Sequence, residues 1–236
     1  PVVAVDALGG DHAPGEIVAG AVAAVRALNV SIRLVGPEAL LAEEVARRAA
    51  SDVRSRLSFV DAPEAVGMHE PALAALRRKP RATVKVAAEL VARGEAEALY
   101  SAGHTGATLL AAHAAFGPLP GAERPALAVL VPTLTGQSVL LDTGATVDCR
   151  PEHLRAFAVM GAAWARIALG TEAPRVGLLS VGEEEGKGNE LVREAHALLA
   201  AVPGLTFAGN LEARDLFSGS VDVIVCDGFT GNVALK

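Results

Sequence analysis

Lys187, in the segment GEEEGKGN, and Asn232, in DGFTGN, are the two side chains of this 236-residue sequence best suited to managing negative charge. Lys187 brings a compact ammonium into a tight glycine setting, and Asn232 brings a carboxamide with two N–H donors. An amide so placed can stabilise a developing oxyanion, an interaction whose loss often costs roughly a hundredfold or more in rate. Each has a plainer reading: Lys187 as a surface lysine pairing with Glu183 to Glu185, and Asn232 as a helix cap. Around them stand groups that suit an anion: Asp6, Gly9 and Gly10 in DALGGDHAP, and Ser101, Gly103, His104, Thr105 and Gly106 in SAGHTGA. Gly186 and Gly188 flank the lysine, and Asp227, Gly228, Thr230 and Gly231 surround the asparagine. Ser101 and Thr105 offer hydroxyls, and the bare glycine amides permit close approach. His104 reads as a proton donor or as a turn residue, and the turn is preferred. Asp6, Asp142, Asp148 and Asp227 fall near strand ends, where carboxylates bind magnesium or cap loops and helices; capping is preferred.

These groups need elements to carry them. Five times an apolar, strand-like run empties into glycine and small polar residues: at Asp6 to Pro14, Ser101 to Ala107, Asp142 to Cys149, Gly182 to Asn189 and Asp227 to Asn232. In an open α/β sheet such points lie at one edge, where ligands bind beside helix N-termini. The pattern predicts strands over the first five residues, Ser31 to Val35, Leu57 to Val60, the run before Ser101, Val176 to Val181, Leu205 to Ala208 and Val221 to Cys226. Helices are expected from Pro14 onward, over Pro37 to Ala50, Thr83 to Arg93, Pro151 to Leu169 and Glu190 to Ala201, with Ala62 to Glu70 as a loop. Ala126 to Val131 and Ser138 to Leu141 read as a hairpin. The expected fold is therefore α/β: a mixed, mostly parallel sheet flanked by helices, with an antiparallel hairpin insertion. Residues 1–236 are expected to form one α/β catalytic domain, or two lobes sharing a cleft. Gly231 to Lys236 reads as the first turn of a helix at which the chain stops, so a further carboxyl-terminal portion is expected.

Composition narrows the function. Hydrophobic residues make up 51% with aromatics at 3%, so the core must be built from Ala, Val and Leu, with Met160 and Trp164 read as packing residues. A formal charge of -6 argues against nucleic acid as the main partner. Arg77, Arg78, Lys79, Arg81 and Lys85 form a local basic cluster, either a solvated helix face or a dock for an acidic partner. Cys149 and Cys226 are expected to be buried small hydrophobes, not a disulfide or zinc pair. No apolar run of roughly 18 residues suggests a membrane span, and a cytosolic location is expected. GEEEGKGN fails the P-loop pattern, since only three residues separate its first glycines and no Ser or Thr follows the lysine. Its match to the dinucleotide pattern lacks the third glycine.

The series AVDALGGDHAPGEIVAGA, SAGHTGA, RPALA, DTGATVDCRPEHLRAFAVMG, GEEEGKGNELV and VDVIVCDGFTGNVALK resembles the bacterial phosphate acyltransferases of the PlsX family, in order and over essentially the whole chain. The resemblance implies a fold similar to isocitrate and isopropylmalate dehydrogenases and to phosphotransacetylases. It implies transfer of a fatty acyl group from acyl-acyl carrier protein to inorganic phosphate, giving acyl phosphate for phospholipid synthesis, without cofactor or metal. A homodimer is implied, as is peripheral association with the inner face of the membrane through the further carboxyl portion. On this reading Lys187 and Asn232 are catalytic, the glycine loops cradle phosphate, and Arg77, Arg78, Lys79 and Arg81 dock the carrier protein. The sequence departs from the family's usual SAGNTGA in having His104, and from its usual lysine and paired serines in reading KPRATVK, with Thr83 the nearby hydroxyl. Two other classes stay open: a metal- and nicotinamide-dependent dehydrogenase of similar fold, and a non-catalytic module that binds carrier protein or a lipid precursor.

Overall fold

A computed structural model describes residues 1–48 and 50–236. The chain divides into two compact units, Pro1–Gly117 and Pro118–Lys236.

The first unit is a parallel sheet sandwiched between helices. Its elements are β1 (Val2–Asp6), α1 (Gly15–Ala27), β2 (Ser31–Gly36), α2 (Glu38–Arg47), β3 (Leu57–Asp61), α3 (Ala72–Arg78), α4 (Thr83–Ala92), β4 (Ala98–Tyr100) and α5 (Thr105–Phe116). Strand order is β3-β2-β1-β4, with every pairing parallel. Period-two alternation sends neighbouring residues of one strand to opposite faces. Val5 packs with Val18, Val22 and Val25 of α1, whose spacing makes one helical stripe. Ala4, the residue before it, packs with Ala87 and Leu90 of α4 on the other face. The helix expected over Pro37 to Ala50 is realised as α2; Ala49, within that span, lies outside the described residues. Helix α3 carries no expectation from the sequence: after Pro71 it buries only Ala75 and Leu76, too short a stripe for periodicity to announce.

The second unit contains β5 (Val129–Thr133), β6 (Gly136–Leu141), α6 (Pro151–Ala168), β7 (Arg175–Leu179), α7 (Glu190–Ala200), β8 (Thr206–Leu211), β9 (Val223–Val225) and α8 (Gly228–Leu235). Its order is β5-β6-β9-β7-β8, antiparallel only between β5 and β6. The mostly parallel α/β fold with one hairpin is thus present, its strands shared between two sheets instead of one. The hairpin turn is tighter than expected: Pro132 and Thr133 belong to β5, Gly136 and Gln137 to β6, and Leu134 and Thr135 make the turn.

One face of this sheet is roofed by α6 and α7 through Phe157, Leu154, Ala158, Ala195 and Leu199 over Val139, Val176, Leu178 and Val223. Met160 and Trp164 pack partly buried against the same cluster, as expected. Gly161 lets α6 sit close on the strands: a Cβ there would lie 2.6 Å from Val223 Cγ1. Aliphatic and alanine side chains fill both units, and among the described residues no helix is long and apolar enough to cross a membrane.

Candidate functional site

The five loops fall into two groups. The loops after β1 and β4, neighbouring parallel strands, share the carboxyl edge of the first sheet. Those after β6, β9 and β7, also neighbours and parallel, share the carboxyl edge of the second. The single edge expected from the sequence is therefore two edges, because the strands belong to two sheets.

At the first edge Asp6 is buried and its Oδ2 accepts from Ser101 Oγ at 2.7 Å, while Ser101 Oγ accepts from the Gly103 amide at 3.1 Å. Gly9 fits only because it lacks a side chain, since a Cβ would stand 2.5 Å from Asp6 Oδ2. Gly103 presses on Gly9 in the same way, at 2.9 Å from its Cα, and Gly10 lies against Ala102 with φ +114. Asp6 Oδ1 is buried without a hydrogen-bond partner. This loop pair thus puts a carboxylate behind its glycines, and the N-terminus of α5 is where its open donors stand. His104 caps that helix, its Nδ1 accepting from the Ala107 amide at 3.4 Å. The preferred turn reading of His104 agrees with this contact, which requires an unprotonated Nδ1. Thr105 and Gly106 occupy the first two helical positions, whose N–H groups have no intrahelical acceptor.

At the second edge Lys187 is exposed and, among the described residues, makes no salt bridge. Glu183, one of the glutamates proposed to pair with it, is held by Arg214 at 2.8 Å instead. The stem of Lys187 leans on Gly182, where a Cβ would lie 2.9 Å from its Cγ. Gly188, with φ +99 and Val192 Cγ1 2.7 Å from a virtual Cβ, admits no other residue, whereas nothing crowds Gly186. Asn189 caps α7 by accepting from the Val192 amide at 2.9 Å. Ser180, at the end of β7, has a buried hydroxyl with no partner.

Helix α8 starts three residues before the expected Gly231, and its cap is Asp227. The Asp227 carboxylate accepts from the Thr230 amide at 2.8 Å and the Thr230 hydroxyl at 2.7 Å. The Gly228 amide donates to Thr146 O at 2.9 Å and the Gly231 amide to Asp227 O at 3.0 Å. Of the first-turn groups read as an anion cradle, three amides and the Thr230 hydroxyl are thus committed within the protein, and the Phe229 amide stays open. Asn232 lies inside the helix and is not its cap; its Nδ2 donates to Thr143 O at 3.0 Å.

Asp142 is wholly buried and accepts four backbone amides, as a loop cap would. The sequence marks Asp142 by its place after an apolar run, but Thr143 acts through its main-chain carbonyl, which no side-chain motif reports. Cys226 is buried, as expected, and Cys149 half-buried. Burial, with the neighbouring Asp142 and Asp227, pushes the Cys149 thiol up from 9.0 to about 11 and raises that of Cys226 further. Neither is a thiolate at neutral pH.

The basic cluster is partly neutralised where it stands. Lys79 and Arg78 both pair with Glu70, Lys79 also donating to Ala65 O at 2.6 Å, and Arg81 pairs with Asp61 at 2.6 Å. Hydrogen bonds from Lys79 and from Arg81 hold Glu70 and Asp61 respectively below the usual carboxylate range. Among the described residues Arg77 and Lys85 have no carboxylate partner.

A family model described as fatty acid synthesis protein matches residues 2–236. The chain belongs to that fatty acid synthesis protein family. It is 54% identical over 234 residues to a phosphate acyltransferase of Thermus thermophilus, covering 99% of this chain and 69% of that one. It is 50% identical over 235 residues to a phosphate acyltransferase of Nitratidesulfovibrio vulgaris, covering 100% of this chain and 68% of the other. In fold it is similar to a phosphotransacetylase from Streptococcus pyogenes, with TM-score 0.76, 17% identity, and coverage of 100% of this chain and 80% of that one. A 4-hydroxythreonine-4-phosphate dehydrogenase from Burkholderia phymatum shares the fold at TM-score 0.55 and 18% identity, over 95% of this chain and 79% of that one. The α/β architecture of this fatty acid synthesis family member is therefore shared by transferases and by a dehydrogenase, and its chemistry must be argued from the loops.

Proposed function

We propose that this chain is an acyltransferase that moves a fatty acyl group from acyl-acyl carrier protein to inorganic phosphate, giving acyl phosphate for phospholipid synthesis. A phosphate oxygen attacks the thioester carbonyl carbon, the new C–O bond forms, and the C–S bond breaks with its electron pair leaving on sulfur. The released thiolate, whose ordinary pKa is near roughly 8.5, takes a proton from solvent. Phosphate is its own nucleophile and the thiolate a competent leaving group, so neither a side-chain nucleophile nor a metal is required by the chemistry. The raised thiols of Cys149 and Cys226 agree with a mechanism that does not use them.

What the protein must supply is orientation and charge stabilisation. The observation that carries the reading is the edge formed by β6, β9 and β7, from which a lysine with no salt bridge among the described residues and a half-buried carboxamide both emerge. Lys187 holds phosphate and the developing charge, and the second N–H of Asn232 meets the thioester oxygen. At this edge the open amide of Phe229 is the donor left for anionic oxygens. Arg77 and Lys85 are the cations left for the acidic carrier protein.

Acyl phosphate is trapped with hydroxylamine from protein given palmitoyl-acyl carrier protein, phosphate and a chelator. Phosphate-dependent hydroxamate is expected. Its absence with folded protein counts against the reading, and product that appears only when a divalent metal is restored removes the metal-free mechanism.

A further inference from the structure

We propose that Asp142 is a positioning residue for the Asn232 carboxamide, acting through the main-chain carbonyl of Thr143. The inference rests on the acyl-transfer reading, in which Asn232 donates to the thioester oxygen.

Asp142 stands just past β6 with no exposed surface. Its Oδ1 accepts the amides of Leu127 at 2.9 Å, Gly144 at 3.1 Å and Ala145 at 3.0 Å, and its Oδ2 accepts that of Thr146 at 2.6 Å. Bonds from N–H groups to a buried ionised carboxylate are among the stronger ones a protein makes. They wrap the loop around one point. Thr143 is tied a second time, since its amide and its Oγ1 both donate to Leu127 O, at 3.0 and 3.1 Å. With the residue held on both sides, its own carbonyl has one direction, and that oxygen accepts Asn232 Nδ2 at 3.0 Å.

A carboxamide is planar, so fixing one N–H on a carbonyl also fixes the direction of the other and decides which end of the group is nitrogen. The second N–H is thereby aimed before any acceptor arrives. Helix α8 cannot drift away from this loop. The Gly228 amide donates to Thr146 O at 2.9 Å, and Gly231 approaches so closely that a Cβ would stand 1.9 Å from Asp142 O. Gly144 has φ +136, and a Cβ on it would lie 3.0 Å from Asn232 Nδ2. The glycines of DGFTGN are accordingly explained by interlocking with the Asp142 loop, without any anion at their amides.

The test uses Asp142→Asn, which keeps size and shape but replaces one of the two acceptor oxygens with an NH2 group that faces an amide donor. A misplacement of the order of 1 Å costs about a hundredfold in rate, so kcat should fall by up to that factor while KM for phosphate stays within about twofold. The Asn232 side-chain amide protons, recognised in a proton–nitrogen correlation spectrum by their loss in Asn232→Ala, should exchange with solvent about tenfold faster once their acceptor moves. That spectrum needs no turnover. If the wild-type protein makes no acyl phosphate, the functional reading fails and the exchange rates alone still decide the positioning. If Asp142→Asn does not fold, Thr143→Val deletes only the hydroxyl's bond to Leu127 O and should move both readouts in the same direction by a smaller factor. A folded variant with unchanged kcat, a loss carried by KM alone, or unchanged Asn232 amide exchange overturns the proposal.

Discussion

Lys187 carries its charge at the end of an exposed stem, so replacing it should disturb chemistry more than folding. Lys187→Ala is expected to lower kcat/KM by roughly a hundredfold or more while leaving the thermal midpoint within a few degrees. Lys187→Arg, with the charge spread over a larger fork, should recover part of that loss. Hydroxamate assays beside a melting curve measure both, and near-normal turnover in the alanine variant would remove Lys187 from the mechanism. Cys149 makes a different prediction. Its pKa is raised from 9.0 to about 11, so the folded protein favours the neutral thiol. The stability gained is fully present below 9.0 and is lost as pH rises through the folded value of about 11. Denaturant unfolding of wild type and Cys149→Ala across that alkaline window should show the variant losing less stability. Parallel curves would mean that the thiol does not titrate there.

At the scale of elements, the second sheet depends on α6 lying close over β9. Phe157 is buried completely at the centre of that contact. Phe157→Ala should destabilise by about 3–5 kcal/mol, read by urea unfolding, because the aliphatic neighbours around it cannot collapse fully into the space. Gly231 tests the other close approach. A methyl there meets the main-chain oxygen of Asp142, which cannot rotate out of the way as a side chain would. Gly231→Ala should therefore displace α8, lowering both stability and turnover. A fully stable, active Gly231→Ala protein would show that α8 can lift from the loop without consequence. The caps obey the same local logic: His104, Asn189 and Asp227 each accept an amide three residues ahead, and each sits where a strand-end loop becomes a helix.

For the whole molecule, a formal charge of -6 opposes approach of the acidic carrier protein that the proposed reaction requires, so on that reading docking relies on a local surface. Three of the five basic residues between Arg77 and Lys85 are engaged by Glu70 and Asp61. Arg77→Glu and Lys85→Glu are therefore expected to raise KM for the carrier-bound substrate several-fold, with kcat little changed, and Arg81→Glu to raise it less. Added salt should narrow the difference from wild type, since exposed charges are screened over a Debye length of about 10 Å at 0.1 M. Equal KM values for all three variants would send the search for the docking surface elsewhere.

The α/β class, the hairpin, the long helix α6 and the chemically loaded loops were legible in the sequence because each rests on local signals: periodicity, glycine placement and capping types within a few residues. The motif series also carried the family. Tertiary structure decided what depends on residues far apart in the chain. It divided the strands between two sheets, because strand order is a matter of pairing partners and not of pattern. It paired Glu183 with Arg214 instead of Lys187, and spent much of the basic cluster on Glu70 and Asp61. It also joined Asn232 to Thr143, 89 residues away, through a backbone carbonyl. A main-chain acceptor has no letter in the sequence, so its partner is chosen only when the chain folds.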